Sequence, residues 1–400
     1  MRHIDRGVWG FVQKGEAIMG IQAKGRHSLL SVALASSVLA FSSAVSAEEM
    51  DHSQHAQMDH SQHAQMDHSD HQMDHSQMDH STAAQASEHM HHSHGAGQWM
   101  FEYRYMSMNM EDLLDGSDRV SSEDVSGIVM PNNGCMMSKD PTRPYCMAPT
   151  EMTMNMHMLM AMYGFSDKLS GMVMFNYLDN EMDMVMHMRM MAGGPVVNSM
   201  TTDMETSGIG DTQIGAMYTI DNAWTAALSL SIPTGEIDEK VTMMGMEMQA
   251  PYGMQLGTGT YDLIPAITYK ASAGQWTYGG QAEYRLHLSE NDNDYTWGDK
   301  LEVSAYGKYA ITSGVQLGGR LEYLDQDKID GQDPDIMPIM STATDPDNYG
   351  GTRLDLGLDV TAQVGAHTFG AGYAKPIQQD VNGIQLETQS IWTLSYMYMM

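Results

Sequence analysis

Soft sulfur, hard oxygen and imidazole nitrogen are offered together near the start of this chain. Met50-Asp51-His52-Ser53 recurs at Met58, Met66, Met73 and Met78. The donors this repeat supplies are Met50, Asp51, His52 and His55, then Met58, Asp59, His60 and His63, then Met66, Asp67, His68 and His71. Shorter copies give Met73, Asp74 and His75, then Met78, Asp79 and His80, and the run closes on His89, Met90, His91, His92 and His94. Thioether sulfur favours Cu(I), and imidazole suits Cu(I), Cu(II), nickel and zinc. Methionine mixed with histidine at this density points to copper, with silver a close second, because a zinc or nickel buffer would use His without Met. The alternative is a polar spacer with incidental His, although spacers favour Gly, Ser, Pro or Gln.

The tail has no core to order it. Residues 48–96 hold no Leu, Ile or Val, so little apolar area is available to offset ordering entropy, and a disordered segment is expected. Ahead of it, Ser28–Phe41 is an apolar run preceded by Lys24, Arg26 and His27, and Val45-Ser46-Ala47 has the small-x-small form of a signal-peptidase site. Residues 1–47 therefore read as a signal peptide, with Met19 as an alternative start. The run is too short for a membrane anchor. The 400 residues carry 43 Met, two Cys and a net charge of −31. Such acidity excludes nucleic acid as the main partner, since phosphate binding needs a basic footprint.

Residues 97–400 alternate with a period of two. Trp276, Tyr278, Ala282, Tyr284 and Leu286 interleave with Thr277, Gln281, Glu283 and Arg285. Leu354, Leu356, Leu358 and Val360 interleave with Arg353, Asp355 and Asp359. Twelve such segments are expected, near 97–109, 150–164, 169–188, 206–219, 222–236, 256–270, 275–289, 297–310, 314–327, 350–365, 366–378 and 387–400. They are longer than strands of soluble proteins, and long connections alternate with tight ones. The expected fold is all-β, a 12-stranded antiparallel transmembrane β-barrel behind a disordered tail, in the outer membrane with both termini in the periplasm. A soluble sandwich would lack the loop asymmetry. Pro265 inside GTYDLIPAITY removes a ladder donor and predicts a bulge or local break.

Side-chain expectations follow. In 152–162 every second residue is Met; with the intervening Glu151, Thr153, Asn155 and His157 facing the lumen, the methionines face lipid as plain apolar residues. Met182, Met184, Met186, Met188 and Met190 lie toward the outer rim, where a metal relay is the alternative. Lumen charges are expected at Arg104, Glu151, His157, Glu283, Arg285, His287, Glu302, Arg320, Glu322, Arg353, Asp355 and Asp359. Mixed signs there suit a structural ion-pair network. Cys135 and Cys146 favour a disulfide, with a Cu(I)-thiolate site made with Met136, Met137 and Met147 as the alternative. No GxSxG, HExxH or GxxxxGK[ST] motif is present, and an enzyme is not expected.

The patterned region resembles a family of bacterial outer-membrane barrels named for phenol-degradation-pathway transport. The stretches that carry the resemblance are APTEMTMNMHMLMAMYGFSDKLSGMVMFNYL (148–178), TSGIGDT (206–212), LSIPTGEID (230–238), GTGTYDLIPAITY (257–269) and LSENDNDYTWGDK (288–300). It implies passage of small compounds, aromatics by the family's name. The Met-Asp-His repeats of the tail resemble those of copper-resistance proteins of the bacterial outer membrane and periplasm, which implies metal and says nothing of fold. Two functions are thus expected in order. The first is copper or silver binding, transport or resistance, with copper ions as the ligand, no organic cofactor, and outer-membrane lipid and periplasmic metal carriers as partners. The second is a channel for small hydrophobic or aromatic compounds with an accessory metal-binding tail.

Overall fold

The computed structural model describes residues 95–130, 134–135, 145–191, 193–243 and 245–400. The expected signal peptide, the metal-type donors from Met50 to His94, and Met136 and Met137 lie outside the described residues.

Alternation becomes strand. The wall is built from β1 (Trp99–Asp115), β2 (Ala148–Ser166), β3 (Leu169–Arg189), β4 (Val196–Ile209), β5 (Thr212–Thr219), β6 (Trp224–Ile232) and β7 (Asp262–Ala273). It continues through β8 (Trp276–His287), β9 (Lys300–Thr312), β10 (Val315–Gln326), β11 (Gly351–Val364), β12 (His367–Val381) and β13 (Ile384–Met399). Each pairs antiparallel with its neighbour, and β1 pairs with both β2 and β13, which closes the sheet. Segments β4 and β5 share one stave. β4 pairs with β3 from Tyr177↔Ile209 to Arg189↔Val196, and β5 with the lower part of β3 from Leu169↔Tyr218 to Met174↔Gln213. The interruption falls at Gly210-Asp211, where the Asp211 carboxylate accepts from Gly235 N (3.0 Å), Thr258 N (2.9 Å) and Thr258 Oγ1 (2.8 Å). Thirteen segments thus make twelve staves of a closed antiparallel barrel. Closure leaves no backbone edge in lipid.

The connections differ by end. At one end Asp167-Lys168, Gly274-Gln275, Ser313-Gly314 and Gly365-Ala366 make tight turns, and Trp99 N donates to Met400 O at 2.9 Å, which ties the two ends of the wall together there. Long connections leave the other end. Two boundaries differ from the sequence reading. The 379–386 connection is only Asn382-Gly383, with Gly383 at φ 61°, so β12 and β13 are joined by a two-residue turn, their ladder running from His367↔Tyr398 to Ala374↔Ile391. β4 begins at Val196, ten residues before the alternation suggests. Pro265 breaks the ladder without shifting it. β7 and β8 pair at Leu263↔Leu286 and again at Ala266↔Glu283 with nothing between, while Pro265 keeps Leu228 of β6 as its partner.

The outer surface is banded. Rings pair around the tight-turn end: Trp99 with Tyr163 (4.8 Å), Trp224 with Tyr269 (5.0 Å), Trp276 with Tyr309 (5.0 Å) and Phe369 with Tyr396 (5.3 Å). A second belt holds Tyr105 against His157 (5.1 Å) and Tyr373 against Trp392 (4.6 Å). Leu159, Leu228, Leu321, Leu358 and Leu394 are exposed between them. From Trp99 to Tyr105 the strand rises ~20 Å at ~3.3 Å per residue. Two aromatic girdles around such an apolar band are the outward mark of a membrane barrel. β2, β3 and β4 run on well past the second belt as a polar-faced wall. No helix among the described residues is long and apolar enough to cross a membrane.

Candidate functional site

The lumen is built from two unlike walls. On β1 to β3 the even-numbered residues point inward. Met100, Met158, Met160, Met162, Met172, Met174, Met217 and Met397 form one buried cluster toward the tight turns. Met152, Met182, Met184, Met186 and Met204 form a second, packed with Met147, Met243 and Met254 toward the long loops. Met106 and Met156 lean on the first, and Met110 and Met154 on the second, so thioether side chains line most of the staves from β1 to β5.

This reverses the expectation that the β2 methionines face lipid. Met160 is 6 % exposed and Met162 not at all, whereas Leu159 is 57 % exposed. Of the polar set, Glu151 is exposed on the outer face above the second belt, and His157 sits within that belt, its Nδ1 2.8 Å from the Tyr103 hydroxyl. The signal was there to be found. Below His157 the intervening residues become Leu159, Ala161, Tyr163 and Phe165, and aromatics at a strand end mark the lipid side.

The facing wall is charged. The other ten expected lumen charges do point inward, nine of them on β8 to β11. Arg285 Nη1 meets Asp262 Oδ2 at 3.0 Å, Lys300 Nζ meets Glu302 Oε1 at 3.1 Å, Arg353 Nε meets Asp355 Oδ2 at 3.0 Å, and Arg320 Nε lies 3.4 Å from Glu322 Oε2. Lys308 and Asp359, both 2 % exposed in their side chains, approach to 3.9 Å across Gly318. A Cβ on Gly318 would stand 2.3 Å from Asp359 Oδ1, so the missing side chain is what admits the carboxylate. In a ring of twelve staves, those six apart face each other. The methionine staves β1 to β4 therefore look across at β8 to β11. Arg104, paired with Glu102 at 3.0 Å, is a charged pair on the methionine side. On the charged side Gln281 Oε1, Arg320 Nη1, Glu322 Oε1 and Asp355 Oδ1 are buried without a hydrogen-bond partner among the described residues. Buried polar atoms of this kind call for a polar visitor or water.

Long connections cap the end opposite the tight turns. Cys135 and Cys146 are joined as a disulfide, Cα–Cα 4.5 Å, so neither offers a thiolate to copper. Met147 after it is fully buried on Met182 and its neighbours. Tyr145 Oη donates to Asp345 Oδ2, and Asn348 Nδ2 donates to Tyr145 Oη at 3.0 Å, which locks this loop to the 327–350 connection. Tyr252, Tyr295, Tyr349 and Trp297 stack edge-on beneath. Burial pushes the Tyr252 phenol up to about 12, and it donates no charge to the cap at neutral pH. No cluster of three or more His, Cys, Asp or Glu suited to a metal occurs among the described residues.

The family described as "Putative MetA-pathway of phenol degradation" matches residues 148–375, more than half of the chain. The chain belongs to this family. No curated protein matches it. Among solved structures, an outer membrane channel from Pseudomonas putida F1 is similar over 77 % of this chain and 97 % of that one, at 14 % identity and a TM-score of 0.50, and shares the fold. The β domain of the Bordetella autotransporter BrkA covers 76 % and 99 % at 12 % identity and TM-score 0.41. The Ralstonia pickettii toluene transporter TbuX covers 76 % and 90 % at 10 % identity and TM-score 0.39. Family membership overturns copper or silver binding, transport or resistance as the function of this chain. That reading rested on the tail repeats, whereas the dense barrel methionines are the packed inner face of the wall.

Proposed function

We propose that this family member is an outer-membrane channel for small hydrophobic or aromatic compounds. The observation that carries the reading is the methionine wall, which runs along the lumen from the loop cap to the tight-turn end. Methionine is flexible and polarisable, and its sulfur makes favourable contacts with ring edges, so such a surface accommodates planar guests of different outline. The ion-paired wall opposite serves a polar substituent and water. The tight turns and both ends of the barrel wall are taken to face the periplasm and the long loops the exterior, as the loop asymmetry of outer-membrane barrels suggests. Lipopolysaccharide slows apolar solutes, so the test belongs in intact cells. Uptake of labelled phenol is expected to fall when the barrel gene is deleted and to return with the native gene. It should not return with a Met160→Asp, Met174→Asp variant that still reaches the membrane. Equal uptake by deleted and native strains would sink this reading.

A further inference from the structure

Above the second aromatic belt, β4 presents a sheet edge that no strand uses. Its residues, Val196–Ile209, hydrogen-bond to β3 on one side. On the other side the stave is paired only below Gly210, where β5 meets β6 from Thr212↔Ile232. β6 has ended at that level. No main-chain hydrogen bond links Val196–Glu205 to any described segment other than β3. The hairpin of Lys240–Met243 and Met246–Gln249 is a sheet of its own, and its Val241 and Met243 pack with Met204 on the inner face. Val197, Asn198, Ser199, Met200 and Thr201 are all exposed. Edges left in this state accept an added strand, with main-chain bonds giving affinity and alternate side chains giving selectivity.

The selectivity is written on the outer face. Register places Glu111, Glu151, Asp183 and Asp203 in one row across β1 to β4, with Glu181 opposite Glu205 in the next. None of these six carboxylates forms an ion pair with a described residue. Like charges directly opposite on a sheet repel, and a neighbouring strand carrying cations on that face relieves them. The inner side of the edge carries Asn198, Met200 and Thr202, Met200 at 43 % exposure.

We propose that this edge binds an extended cationic polypeptide as an added strand, with Lys or Arg at alternate positions over the acidic rows and apolar residues between them, toward Met200. A second copy of the chain is the poorer occupant, since self-pairing would set Asp203 and Glu205 beside another acidic face.

The test uses the purified full chain in detergent micelles and a fluorescent heptapeptide of alternating Lys and Val. Anisotropy is expected to report saturable binding, and hydrogen exchange to slow in Val196–Thr202. An Asp203→Asn, Glu205→Gln variant, whose heat-dependent gel shift confirms a folded barrel, is expected to bind about ten-fold more weakly, equivalent to ~1.4 kcal/mol. Equal binding of a peptide with its lysines in one block, or of one N-methylated at alternate amides, would overturn strand addition in favour of plain charge attraction. Binding that leaves exchange in Val196–Thr202 unchanged overturns it too. Protection of this segment without peptide, rising with protein concentration, would assign the edge to a second copy.

Discussion

At the scale of single residues, what matters is which side of the sheet a side chain takes. Lys308 and Asp359 are both almost fully buried, so removing one partner leaves the other charge uncompensated. Lys308→Met is expected to cost about 3–5 kcal/mol. Adding Asp359→Leu should recover much of it, as measured by urea unfolding in lipid vesicles. His187 stands on the polar wall beyond the membrane, its Nε2 3.0 Å from Ser122 Oγ and its Nδ1 2.8 Å from Ser199 Oγ. Burial holds it below its ordinary 6.5; Glu123 opposes that shift and Arg189 adds to it. The folded state thus binds the proton less readily than the unfolded chain. The His187 contact contributes in full above pH 6.5 and loses stability as pH falls below it. Hydrogen-exchange protection of the Ser122–Val125 turn, with rates corrected for the intrinsic pH dependence of amide exchange, should fall from pH 7 to 5, and His187→Gln should flatten that dependence. The charged inner set was legible from alternation alone. The methionine set was not legible from hydrophobicity, because in the lower half of β2 both alternating sets are apolar, and only the aromatics Tyr163 and Phe165 at the strand end choose a side.

For the strands, periodicity of two located every stave and nearly every turn. It failed where both faces meet water. The stretch VVNSMTTDMETSGI alternates weakly, since β4 stands outside the lipid and neither face was selected to be apolar along its whole length. It failed again at Asn382-Gly383, where the polar run around a hairpin looks the same as a loop. The acidic rows carry their own prediction. Glu181→Gln should stabilise the β3–β4 pair by about 0.2–1 kcal/mol at low salt. The gain should shrink at high ionic strength as screening removes the repulsion it relieves. Exchange rates of β4 amides at two salt concentrations will show whether it does.

For the whole molecule, the proposed channel draws on the difference between the two inner walls and on the cap. The cap is held by loop-to-loop contacts, among them the Tyr145 hydroxyl shared by Asp345 and Asn348. Tyr145→Phe keeps the ring and removes both bonds. Single-channel recordings are expected to show longer or more frequent open periods, with the staves unchanged by circular dichroism. Family and fold were readable from the sequence, and family membership corrected the function first inferred from the tail. The opposition of the walls was not readable, because it depends on which stave lies six places away once the sheet closes.

One consequence concerns how the cylinder assembles. The methionine strand Ala148–Ser166 is nearly as greasy on its lipid side as on its inner side over its lower half, so sliding it by one position there would cost little. The choice must come from above, where Glu151, Thr153 and Asn155 alternate with sulfur, and from the Tyr103–His157 clasp. Insertion of this strand is thus guided by its end nearest the long loops, and the greasy remainder follows whichever phase that end has taken.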